Sequence, residues 1–212
     1  PNKIKNMLDY QSVYDISSKG FIPDVCLAHC PREFKYLDYF LKLHQQEVFD
    51  STTEFRNFIK DYPFTNDKPK ITLENFNLNE VKKIYSVTSI LSHLYVWSGD
   101  YHITTIPKCL AIPWFESSQS LDIPPVLTHA AVDLFNWEII NTDLPFSLEN
   151  VKPVYTFNLE PNVKHSEEWF YLPMIGIEGE CGCILHKMEE IYKIIESDSS
   201  SDNPNIFLEN LK

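Results

Sequence analysis

Residues 106–141, IPKCLAIPWFESSQSLDIPPVLTHAAVDLFNWEIIN, constrain the fold more than any other part of the chain. Pro124 and Pro125 in succession remove two backbone donors, so the segment opens an element rather than continuing one. Behind them Val126, Leu127, Ala130, Ala131, Leu134 and Trp137 recur at helical spacing and predict a helix over 124–138 with one apolar face. Ahead of them a loop anchored by Pro107 leads to a short amphipathic turn over 115–121.

Other stretches supply helical partners for that face. Residues 33–44 carry Phe34, Leu37, Phe40 and Leu41 on one side, and 55–62 read as a shorter helix closed by Pro63. Asn77 with Glu80 is a capping signal. The helix it opens presents Val81, Ile84, Tyr85, Thr88, Leu91, Leu94 and Tyr95, and ends at Trp97 before Gly99. Trp97 and Trp137 each close an apolar face and are expected to be buried anchors. Ser147 begins a capped turn, and 153–157 read as a strand or an extended linker. A domain boundary is placed there, dividing the chain into 1–155 and 156–212. Ser166, Glu167 and Glu168 then open a long helix, since acids in a first turn complement the helix dipole. Pro173, Gly176, Gly179 and Gly182 are expected to kink or break it. An acidic-serine turn over 197–202 precedes a last helix from Asn203 to Lys212. Its apolar face of Ile206, Phe207, Leu208 and Leu211 has nothing after it to pack on, so the chain reads as cut short or as one piece of a larger assembly.

Only five glycines among 212 residues argue against a turn-rich all-β chain, and the expected fold class is mainly α. A net charge of −12 argues against nucleic acid and anionic membrane surfaces as partners. Five cysteines without framework spacing read as thiols of a cytoplasmic protein. The first residues lack a signal-peptide core, and no window approaches the roughly 20 apolar residues of a membrane span.

Four stretches together resemble the indoleamine 2,3-dioxygenase family. The first is the Pro124-Pro125 helix running to Asn136-Trp137. The second is Tyr14-Asp15-Ile16-Ser17 followed by Gly20-Phe21-Ile22-Pro23, similar to the family's N-terminal signature. The third, His93 to Gly99, is similar to its "A-H-A-Y-V-W-G". The fourth, Trp169-Phe170-Tyr171-Leu172, is similar to the "W-F-Y-L" of microbial members. The resemblance implies a small N-terminal helical domain capping an all-helical haem domain, of which 156–212 would be the opening helices. It implies haem b as cofactor, with L-tryptophan (or a related indole) and dioxygen as partners, the indole ring being cleaved to give N-formylkynurenine.

It also implies a distal pocket lined by Phe170, Tyr171, Met174, His129, Val132 and Asp133. Aromatic rings suit an indole because offset stacking holds a flat apolar body. This chain departs from the family at several of these positions. His129 stands where relatives usually carry Tyr. Met174 replaces a serine hydroxyl. Asp133 puts a carboxylate where an apolar wall is expected, and burying it unpaired would cost several kcal/mol; a solvated or salt-bridged side chain on a rotated helix is the expectation. None of the seven histidines matches the proximal motif, so no axial ligand is assigned, and these 212 residues alone are expected not to hold haem through a histidine. Phe170 and Tyr171 also read as ordinary core aromatics, and His129 as a surface histidine. Gly176, Gly179 and Gly182 read either as close-packing points for a flat cofactor or as helix breakers. Cys181, Cys183 and His186, and Cys26, His29 and Cys30, carry zinc-type donors, yet neither set has C-x2-C spacing and no metal is assigned. A non-catalytic scaffold that has lost haem, completed by a second chain, is the alternative. An open pocket beside Phe170, Tyr171 and His129 would favour the enzyme; packing of these residues against protein would favour the scaffold.

Overall fold

The computed structural model describes residues 16–198, apart from 66 and 100–102; the expected helix over 203–212 and Tyr14-Asp15 lie outside the described residues. The described chain is mainly α, and five α-helices carry it: α1 (Lys35–Gln45), α2 (Thr52–Lys60), α3 (Leu78–Trp97), α4 (Lys108–Leu121) and α5 (Pro161–Asp198). Its two short strands are β1 (Trp137–Ile139) and β2 (Val151–Pro153). No described helix is long and apolar enough to cross a membrane. The described residues form two compact units, Val25–Ile175 and a second formed by residues 16–24 with 176–198.

In the larger unit α3 is the axis, packing against α1, α4 and the turn that follows α4. The capping box is formed as expected: the Asn77 side chain accepts from Glu80 N, and Glu80 accepts from Asn77 N. Val81, Ile84, Tyr85, Val87, Ile90, Leu91, Leu94 and Tyr95 are buried on nearly every side of α3, as a central helix requires. Its carbonyl end, which carries no cation of its own, is capped by the buried Arg56 of α2. The guanidinium donates from Nε to Tyr95 O (2.8 Å) and from Nη2 to Val96 O (3.1 Å) and Ser98 O. A cation there satisfies orphan carbonyls and complements the helix dipole.

Several expectations are corrected. The turn expected over 115–121 belongs to the longer helix α4, which contains Pro113. Proline leaves the carbonyl four residues back without its donor. That carbonyl is Cys109 O, and the Tyr36 hydroxyl of α1 donates to it at 2.8 Å. The helix therefore persists through a residue that usually ends one. Pro124 and Pro125 start no helix. Trp97 is 58% exposed at the end of α3 rather than buried. Helix α5 begins at Pro161 rather than Ser166, and Pro173 does not break it. Trp137 is buried as expected but lies in β1, where it pairs with Pro153. Its indole N–H donates to Leu134 O at 3.0 Å.

In the smaller unit a turn closed by Ser17 and Gly20 lies against α5 at Gly182. A Cβ on Gly182 would run into Gly20 N and the Lys19 backbone. Gly20 itself has φ +74°, the left-handed region that favours glycine. His186, one turn further along α5, places Nε2 3.2 Å from Ser17 O. Gly182 is thus a close-packing point for backbone within an unbroken helix.

Candidate functional site

The segment after α4 owes its shape to Tyr85. Asp122 ends α4 in the left-handed region. A residue before proline is pushed away from helical angles, so the chain through Pro124 and Pro125 stays open. The Tyr85 hydroxyl then reaches Val126 O at 3.0 Å and Pro124 O at 3.3 Å, engaging carbonyls that a helix would have used. The chain next makes a single wide π-type turn over Ala130–Leu134, closed by Phe135 N donating to Ala130 O at 2.9 Å. Ser86 Oγ of α3 fixes it by donating to Ala131 O at 2.6 Å.

This turn presents His129 and Asp133 together. His129 Nδ1 lies 2.6 Å from Asp133 Oδ2; the Asp133 side chain is fully buried and that of His129 is 53% exposed. Asp133 is not solvated; it lies against His129, and neither of its oxygens has a hydrogen-bond partner among the described residues. Burial pushes its carboxyl from 3.8 up to about 6, with His129 pulling the other way. Val132, between them, packs onto the hydrophobic core of the larger unit.

Helix α5 supplies the remaining residues. Tyr171 is buried, and its hydroxyl donates to Glu167 Oε1 at 2.7 Å. Burial first, then Glu167 and Asp133, push the phenol far above its ordinary range, which sets Asp133 within electrostatic reach of Tyr171. Glu167 also accepts from Phe157 N (2.7 Å), Asn158 N (2.9 Å) and Asn158 Nδ2 (2.8 Å), so it ties the incoming linker to the helix. In the sequence Glu167 reads only as a first-turn acid; its position four residues before Tyr171 is the available signal. Phe170 is 60% exposed, its ring edge-on to Tyr171 with centroids 6.1 Å apart, and Met174 is half-buried. The structure therefore sets His129 against Asp133, buries Tyr171 on Glu167, leaves Phe170 open on the helix, and turns Val132 to the core.

Phe170 is exposed and Met174 half-buried at four-residue spacing on one face of α5, the apolar side chains that a flat cofactor would meet there. Among the described residues, no three His, Cys, Asp or Glu side chains converge as a metal-ion site, and all five cysteines are free.

The exposed Phe170 of α5 and the His129–Asp133 pair thus belong to one compact unit of a mainly α chain. The family model described as indoleamine 2,3-dioxygenase matches residues 10–212. Among similar curated proteins, the indoleamine 2,3-dioxygenase of Saccharomyces cerevisiae is 26% identical over 131 residues, 59% of this chain and 28% of that protein. One from Aspergillus candidus is 26% identical over 183 residues, 82% of this chain and 42% of its own length. One from Penicillium citrinum is 32% identical over 133 residues, 61% of this chain and 29% of its own. The chain belongs to the indoleamine 2,3-dioxygenase family, and its matches span well under half the length of these relatives.

Proposed function

We propose that the protein carrying this chain is a haem-dependent dioxygenase that opens the indole ring of L-tryptophan to N-formylkynurenine. The observation that carries the reading is the family match over residues 10–212. Haem b, when bound, supplies the activation of dioxygen. The chain's part is to bind, orient and exclude water. Phe170 presents an apolar ring for the flat partner, and Met174 adds a polarisable contact one turn on. Tyr171, whose hydroxyl is committed to Glu167, contributes rigidity rather than a free donor. The free cysteines agree with a reducing, cytoplasmic setting.

One observation favours the second reading, a scaffold without haem: Tyr171 is packed against protein, only 6% exposed. The openness of Phe170 and His129 weighs the other way. The test is turnover by the full-length protein. Wild type is expected to form N-formylkynurenine from L-tryptophan, and Phe170→Ala to lose turnover while keeping its helical circular dichroism. Full activity in Phe170→Ala, or none in wild type with haem supplied, would overturn the enzyme reading.

A further inference from the structure

The end of α1 breaks two local rules at one residue. Glu47 has φ +51°; its N–H donates to His44 O at 3.0 Å, and Val48 N donates to Leu43 O at 3.2 Å. This pair of bonds closes a helix through a left-handed residue, a position that favours glycine or, failing that, asparagine. A carboxylate beside the last carbonyls of a helix also opposes the helix dipole. Among the described residues Glu47 has no ion-pair partner to offset either cost. Residues kept in costly conformations cluster at binding sites. Glu47 borders a surface cavity of about 180 Å³ in the larger unit, with His44, Phe49, Ser51, Phe55 and Leu159 among its other lining residues.

The walls of this cavity are aromatic on one side and negative on the other. The Phe49 and Phe55 rings have centroids 5.5 Å apart, and the His44 ring is 5.4 Å from that of Phe55. Burial, against the pull of Glu47, holds the imidazole below its ordinary 6.5, so near neutral pH the ring is uncharged. No lysine or arginine is among the described lining residues. Arg56 of α2 is turned to the carbonyls at the end of α3. An ionised carboxylate only accepts hydrogen bonds, and ring faces attract cations. We propose that this cavity binds a small organic ammonium ion with an apolar body, and that Glu47 is held in the left-handed region to receive it. Cavities of about 150 Å³ hold a benzene ring, so this one admits a ring with one short arm.

The experiment titrates the full-length protein near pH 7 with benzylamine, benzyl alcohol and benzoate, three probes of one shape that differ in charge. Binding is followed by ligand-observed NMR, so neither haem nor turnover enters the readout. Wild type is expected to bind benzylamine saturably, about tenfold more tightly than benzyl alcohol, and to bind benzoate least. Glu47→Gln should bind the amine and the alcohol alike. Phe49→Leu should weaken both and leave their ratio unchanged. Glu47→Gly should lose the preference for the amine and raise the urea midpoint, since glycine suits the left-handed position. A carboxylate with a purely structural role would instead lower that midpoint when removed. No saturable binding of benzylamine, equal affinity for the three probes, a preference that survives Glu47→Gln, or a Glu47→Gly variant no more stable than wild type would overturn the proposal.

Discussion

Trp137 and Trp97 look alike as sequence, each closing an apolar face, yet they differ in what surrounds them. Trp137 is 1% exposed, hydrogen-bonded through its indole to Leu134 O and set edge-on to Phe146. Trp137→Ala is expected to cost about 3–5 kcal/mol, read from chemical denaturation. Trp97, exposed beside His93, should cost under about 1 kcal/mol on the same change. Asp133 gives a pH-dependent prediction. Its folded pKa of about 6 lies above its ordinary 3.8. The stability associated with the neutral carboxyl is therefore present below about pH 4 and lost as pH rises through about 6. Asp133→Asn should raise the urea midpoint relative to wild type near pH 7.5, and the advantage should vanish near pH 4. An offset independent of pH would contradict the assignment.

At the scale of the element, two helices depend on hydroxyl and guanidinium groups from neighbours distant in sequence. Pro113 would leave Cys109 O unpaired were it not for Tyr36. Tyr36→Phe is expected to cost about 1–2 kcal/mol, and much less in a Pro113→Ala background, where a backbone N–H serves Cys109 again. Equal costs in both backgrounds would refute the coupling. Removing Arg56 leaves three carbonyls at the end of α3 without their donor, so Arg56→Met should cost about 2 kcal/mol or more in thermal unfolding. These dependences explain what is legible in the sequence. The capping box of Asn77 and the apolar faces of α1 and α3 are local signals, and the structure bears them out. The π-type turn is not legible, because the partners that replace helical bonding there, the Tyr85 and Ser86 hydroxyls, come from about 40 residues upstream. The length of α4 is hidden because Pro113 is a breaker unless a remote hydroxyl compensates. Of the site, the residue types and the four-residue spacing of His129 and Asp133 are legible; the burial of the carboxylate is not, since a helix over 124–138 gives no reason for it. Glu167 is hidden for a similar reason, as three of its four donors come from the 157–158 linker.

At the scale of the whole molecule, a family identity over nearly all of the chain meets a site in which open and packed aromatic residues adjoin. The long helix α5 carries Phe170 outward and Tyr171 inward, so the same element anchors buried packing and leaves an aromatic ring open. The dioxygenase reading stands or falls on whether this surface faces haem in the full-length protein. The decisive measurement is the visible absorption spectrum of that protein, titrated with haem and then with L-tryptophan. A Soret band is expected that saturates at one haem per chain, shifts when tryptophan is added, and loses that shift in Phe170→Ala. A protein that takes up no haem, or whose Soret band ignores both tryptophan and the Phe170 substitution, would refute the reading.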